Sequence, residues 1–236
     1  MSKAFCFIPA KSNSNRLTNK NNLLLNGKPL FYYPIKCAIE SKIFNSKDII
    51  FSSDSDTMNT LAGSYGANVP FIRPKRLSKD DIGINQVLLD FLKNQPIYKS
   101  YDYVFIALPS SPFSHPEDYI KSYKLIQQVK FPTLLSVSKH SNSIFQSMMI
   151  KEQTLEPVFK ETYDKKMSNS SYDSFHPNGC VHIVKIKALL KYQKYIVSPI
   201  AAYEMDPIHG IDIDEEIDFN FAEFLVQKKL IDISWT

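Results

Sequence analysis

Between residues 4 and 137 the chain repeats one pattern: a short apolar run, then a stretch whose apolar side chains recur every three to four positions. The runs Ala4–Pro9, 48–52, 69–72, 103–108 and 133–137 are read as strands. Ala4–Pro9 shows no polar alternation, as a strand covered on both faces requires. Residues 29–41, 56–65, 84–93 and 116–129 read as amphipathic helices. Met58, Leu61, Ala62 and Tyr65 share one face ahead of Gly66, and Pro116 with Glu117 and Asp118 marks a first turn. Strands that alternate with helices are joined in parallel, so the expected class is α/β: a mostly parallel central sheet with helices on both faces.

After residue 137 the pattern loosens. Residues 143–159 alternate as antiparallel strands do, 160–178 read as a polar exposed loop, 181–184 as a strand and 187–192 as a helix. A closing helix is expected over 216–229, capped by Asp214. The expectation is a single domain over residues 1–236 with an inserted arm at about 139–176, placed to close over a ligand or to reach a second subunit.

Composition narrows the function. A net charge of +4 on scattered Lys and Arg lacks the basic stripe of a nucleic-acid binder and suits local pockets for a small polyanion. Cys6, Cys37 and Cys180 stand apart with no metal-ligand spacing, so reduced thiols and a cytoplasmic location are expected. No window approaches the roughly 20 apolar residues of a membrane span, and the opening apolar run is too short for a signal peptide.

Three stretches carry candidate chemistry. The first is "IPAKSNSNRLTNKNN", a polar, cationic loop where a helix would be expected to follow the strand. Ligands of open α/β sheets sit beyond the carboxyl ends of the strands. Lys11, Arg16 and Lys20, with the hydrogen-bonding Ser and Asn residues between them, suit a triphosphate there. Neither GxxxxGK[ST] nor GxGxxG is present, and singly these residues fit a solvated loop equally well. The second is Asp54 in "FSSDSDTM", read first as a cap for the helix beginning near Asp56 and second as a ribose or metal ligand.

The third is "HGIDIDEEIDF", where Asp212 and Asp214 alternate with isoleucines. In an extended segment both carboxylates point the same way. Two like charges on one face call for a cation between them, and Mg²⁺ uses one or two carboxylates together with substrate phosphates. The five histidines are dispersed and read as structural or solvated. Ser110 and Ser111 lack a GxSxG setting, which argues against a hydrolase.

Taken in order, "IPAKSNSNRLTNKNNLLLNGKPL", "FSSDSDTM", "YGANVPFIRPKRLSKDD", "LPSSPF", "HPNGCVHI" and "YEM" with "GIDIDEEIDF" resemble the acylneuraminate cytidylyltransferases, the CMP-sialic acid synthetases. The resemblance spans nearly the whole chain. It implies a Rossmann-like nucleotidyltransferase fold, a homodimer built through the arm, and Mg²⁺-dependent transfer of CMP from CTP to a nine-carbon 2-keto sugar acid, releasing pyrophosphate. It places Ala10, Lys11, Ser14, Arg16, Lys20, Asn21, Arg73 and Asp80 at the nucleotide, and Leu108, Ser110, Ser111, Lys165, Lys166 and Asn178 at the sugar. Asp212 and Asp214 would hold Mg²⁺ and, with Lys20, form the catalytic set.

The departures from the family pattern are informative. Lys11 stands for an arginine, Asn15 for a lysine, Leu108 for a glutamine and Ser114 for an arginine. The apolar Leu108 suits a deoxy, acylamino-bearing relative such as pseudaminic or legionaminic acid. Two alternatives fit less well. A 3-deoxy-octulosonate cytidylyltransferase is disfavoured by the spacer over residues 19–26 ahead of GKPL, and a binder without turnover is disfavoured by the retained Asp212 and Asp214.

Overall fold

The computed structural model describes residues 3–14, 16–141, 143–160 and 173–236. Its centre is a six-stranded sheet in the order β10-β6-β9-β5-β1-β4. The strands are β1 (Ala4–Pro9), β4 (Ile49–Ser52), β5 (Tyr103–Ile106), β6 (Thr133–Lys139), β9 (Phe175–Lys185) and β10 (Ile200–Glu204). β1 pairs in parallel with both β4 and β5, and β10 in parallel with β6. Only β9 runs the other way, antiparallel to both β5 and β6.

The helices cover both faces. On one, α1 (Tyr32–Glu40), α2 (Asp56–Ser64) and α4 (Pro116–Val129) pack Ile35, Met58, Tyr119 and Ile126 against Cys6, Ile8, Phe51 and Phe105. On the other, α3 (Ile84–Asn94) and α5 (Ile186–Tyr192) pack Phe91, Leu92 and Leu189 against Phe5, Phe7, Val104 and Val184. The β1 side chains are divided between the two clusters and all but Pro9 are buried, which is why this strand reads as an unbroken apolar run. A third cluster joins the closing helix α6 (Glu216–Gln227) to Leu25, Leu30, Tyr33 and Phe113.

Smaller elements frame the site. A two-residue hairpin, β2 (Leu24–Leu25) and β3 (Lys28–Pro29), turns at Asn26 and Gly27, with φ of 48° and 74°. Positive φ at both turn positions is what an Asn-Gly hairpin turn needs. β7 (Met148–Lys151) and β8 (Thr154–Pro157) form an outlying hairpin inside the arm.

Four expectations are corrected. Residues 69–72 form no strand: one bridge, Ile50 with Asn68, is made before Pro70 removes the next backbone donor. The exposed loop expected over 160–178 ends in strand from Phe175; its residues 161–172 lie outside the described residues. β10, at the sheet edge, was not anticipated. Glu215, not Asp214, is the N-cap of α6, and Asp218 accepts the N–H groups of Asp214 and Glu215 at 3.0 and 2.8 Å. Asp218 therefore does the capping, and the Asp214 carboxylate is turned elsewhere.

Candidate active site

The carboxyl end of β1 opens into the cationic loop. Ala10 is buried, and its N–H donates to the Ser52 carbonyl at 2.9 Å, holding the loop's origin against β4. The far end is fastened by Asn21, whose side-chain amide donates to the Lys11 carbonyl at 2.8 Å. Asn19 takes a left-handed φ of 55° at the entry to the short helical turn Lys20–Asn22. Closed in this way, the loop projects Lys11, Ser14, Arg16 and Lys20 into a cleft.

The cleft has two adjoining compartments that share Lys11, Ser14 and Lys20. One, of about 270 Å³, is polar and is completed by Arg16, Leu17, Asp80 and Asp214. The other, of about 210 Å³, has Arg73 and Asn21 as polar groups and an apolar wall that includes Leu77, Ile82, Ile84, Val87 and Leu108.

In the first compartment each loop cation has a carboxylate. Lys20 and Arg16 contact Asp214 at 2.8 and 2.7 Å, and Lys11 contacts Asp80 across the mouth. Crowding by protein pushes the Asp214 carboxyl up, but hydrogen bonding and charge from Lys20, then Arg16, more than offset it and hold the pKa below the ordinary value. Ile213 is buried in the third cluster, which leaves Asp212 and Asp214 on the opposite side of the segment.

Asp212 behaves differently from its neighbour. The residue is exposed by surface area, yet protein surrounds its carboxyl closely enough that desolvation, with the Asp214 charge, raises its pKa against a hydrogen bond from Ser110. Neither Lys20 nor Arg16 pairs with it directly. Gly179 packs beside it at φ 79°, where a Cβ would come within 3.6 Å of the Asp212 Oδ2 and 3.4 Å of the Ser111 Oγ. A carboxylate under-compensated in this way, beside a second one, is the hard oxygen donor set that Mg²⁺ takes with substrate phosphates, so the residues fit that ion.

In the second compartment Arg73 is 4% exposed, and its Nε and Nη2 have no hydrogen-bond partner among the described residues. Burial lowers its pKa to about 10, opposed by Asp54 at 4.0 Å, so it is charged at neutral pH. A buried guanidinium short of acceptors is costly unless a ligand completes it.

The other expected residues are distributed as follows. Leu108 and Ser110 line the apolar compartment, while Ser111 is buried behind it. Asn178 is buried, its amide bonded to Ser136, Ser138 and the Cys180 N–H, so it fastens β6 to β9 and does not line either compartment. Lys165, Lys166 and Asn15 lie outside the described residues. Asp54 does not cap α2; Ser55 does, and Asp54 binds Ser12. The wall residues Ile82 and Ile84 were missed as site residues; the only signal was two isoleucines flanking Gly83, the N-cap of α3.

The model of the cytidylyltransferase family matches residues 5–233. The chain belongs to the cytidylyltransferase family. It is 31% identical over 229 residues to an N-acylneuraminate cytidylyltransferase of Escherichia coli, covering 96% of this chain and 53% of that one. This chain therefore spans about half the length of that relative. It is 30% identical to a CMP-N,N'-diacetyllegionaminic acid synthase of Legionella pneumophila, covering 93% of this chain and 94% of that one. The fold matches a CMP:2-keto-3-deoxy-manno-octonic acid synthetase solved with CTP, at a TM-score of 0.70 and 13% identity over 97% of this chain and 100% of the other. No helix among the described residues is long and apolar enough to cross a membrane.

Proposed function

We propose that this cytidylyltransferase moves CMP from CTP to the anomeric hydroxyl of a nine-carbon 2-keto sugar acid and releases pyrophosphate. The observation that carries the reading is the paired cleft: a cation-bearing compartment continuous with an apolar one that ends in the unsatisfied Arg73. The polar compartment suits a triphosphate, and the apolar one suits a nucleoside. Leu108 and Ser110, which line the same compartment, would meet the acceptor sugar.

The protein's task is to position the reactants and neutralise charge. Lys11, Arg16 and Lys20 exchange their carboxylates for phosphate oxygens. Arg73 donates to the nucleoside side of the ligand. The new bond joins the anomeric oxygen to the α-phosphorus while the bond to the β-phosphate oxygen breaks; the hydroxyl proton is lost and pyrophosphate leaves. Asp212 and Asp214 would hold Mg²⁺, which when bound polarises the α-phosphate.

The apolar Leu108 supports a deoxy, acylamino sugar in preference to N-acetylneuraminate. Pyrophosphate release should be measured with CTP, Mg²⁺ and, separately, N-acetylneuraminic, legionaminic, pseudaminic and 3-deoxy-octulosonic acids. Release with legionaminic or pseudaminic acid that stops in EDTA is expected; preference for 3-deoxy-octulosonate would refute the substrate class. The arm's exposed Met149, Ile150 and Leu155 support a homodimer built on that hairpin. Ile150→Asp should then shift light-scattering mass to that of a monomer, and an unchanged mass would remove the arm from the interface. Three buried free cysteines suit a reducing cytoplasm.

A further inference from the structure

Asp54 leaves the end of β4 and reaches across to the cationic loop. Its Oδ1 accepts the Ser12 backbone N–H at 2.9 Å and its Oδ2 accepts the Ser12 hydroxyl at 2.8 Å. These two bonds fix the turn that immediately follows Lys11. The same Oδ1 stands 4.0 Å from Nη2 of Arg73. The Arg73 backbone is tied to the same place, its N–H donating to the Ser53 carbonyl at 2.9 Å.

Asp54 therefore touches both halves of the ligand cleft while lining neither. Burial pushes its carboxyl up, and hydrogen bonds, the two from Ser12 foremost, together more than offset this, so it is ionised at neutral pH. The arrangement gives one carboxylate two tasks. It orders the loop that carries Lys11, and it supplies the counter-charge that lets Arg73 stay buried with free donors.

We propose that Asp54 is a positioning residue that locks the phosphate loop and Arg73 at one fixed spacing before CTP arrives. This rests on the CTP-dependent transfer proposed above. Asp54 acts through Ser12 and Arg73 and contacts no reacting atom.

The consequence is a split between binding and turnover. Asp54→Asn keeps the shape and an acceptor for Ser12 but removes the charge facing Arg73. Calorimetry should show the Kd for CTP raised about tenfold, whereas kcat at saturating CTP changes by less than about threefold and the KM for the sugar is unchanged. A cycle made from Ser12→Ala and Arg73→Lys alters neither the loop cations nor Asp54 itself. Arg73 also meets the ligand directly, but the part of its placement that depends on Asp54 is shared with Ser12, so the double variant should lose less CTP affinity than the product of the single losses.

An unchanged Kd in Asp54→Asn, or a kcat that falls as far as affinity does, would overturn the assignment. So would independent, multiplicative losses in the cycle, which also decides the matter if Asp54→Asn does not fold. Wild-type protein that binds no CTP at all would instead remove the functional reading, and the inference with it.

Discussion

The two compartments of the cleft share three side chains yet are prepared for a ligand in opposite ways. In the polar compartment, proposed for the phosphates, every loop cation already has a carboxylate: Lys11 has Asp80, and Arg16 and Lys20 have Asp214. In the apolar compartment, proposed for the nucleoside, Arg73 is buried, charged and short of acceptors. The first arrangement exchanges partners when ligand arrives, so it discriminates by charge and is sensitive to salt. The second presents unsatisfied donors on a buried side chain, so its contribution comes from preorganisation. One cleft thus holds an exchangeable electrostatic grip and a rigid one, and Asp54 is where the two are joined.

The largest expected effect on CTP recognition is at the group common to both sides. Lys20→Ala removes a cation from each compartment and should lower kcat/KM for CTP by on the order of 10²; a loss below tenfold would mean that the phosphates lie elsewhere. Next is the contrast between the two acidic neighbours. The Asp212 pKa is raised in the folded protein, so its ionised form opposes folding above the ordinary carboxylate range. Asp212→Asn should abolish Mg²⁺-dependent turnover and at the same time raise Tm slightly at neutral pH. Asp214 is shifted the other way, so Asp214→Asn should lower Tm, and the same sign for both would break the distinction.

A smaller effect tests partner exchange. On the proposed reading Asp80 competes with phosphate for Lys11, so Asp80→Asn should tighten CTP about two- to fivefold at low salt, with the gain vanishing at high salt. Weaker binding would show that Asp80 contacts the ligand favourably instead. The last lies away from the ligand, at His182 of β9, and is read in stability and not in binding. Neither imidazole nitrogen has a partner among the described residues, and burial lowers its pKa to about 4. The unfolded chain binds that proton near pH 6.5, so stability should fall as pH drops from about 6.5 to about 4, by at most about 3 kcal/mol. His182→Phe should flatten that window in urea titrations, and an unaltered pH profile would contradict a neutral buried imidazole.

What the sequence disclosed follows from how local each signal was. β1 was legible because both of its faces are buried and its composition says so without reference to partners. α4 was legible to the residue because Pro116 and its acidic first turn mark the start. The Asp212 and Asp214 pairing survived because alternation around a buried Ile213 is a property of three consecutive residues. The failures were non-local. Asp54 has the spacing of a cap, and only the fold brings Ser12, 42 positions earlier, into its reach. Asn178 carries the polar side chain of a sugar contact, but the antiparallel course of β9 sets it between Ser136 and Ser138. β10 is an edge strand whose short run, "IAAYE", differs little from a loop until β6 is beside it.

The measurement that reaches the central claim most directly follows the phosphorus. The protein is incubated with Mg²⁺, a nine-carbon 2-keto sugar acid and CTP labelled at either the α- or the γ-phosphate. Cytidylyl transfer predicts α-label in a sugar-linked product and γ-label in pyrophosphate, neither appearing without the sugar. Label passing from the γ-position to the sugar, or CTP breakdown that ignores the sugar, would contradict the account.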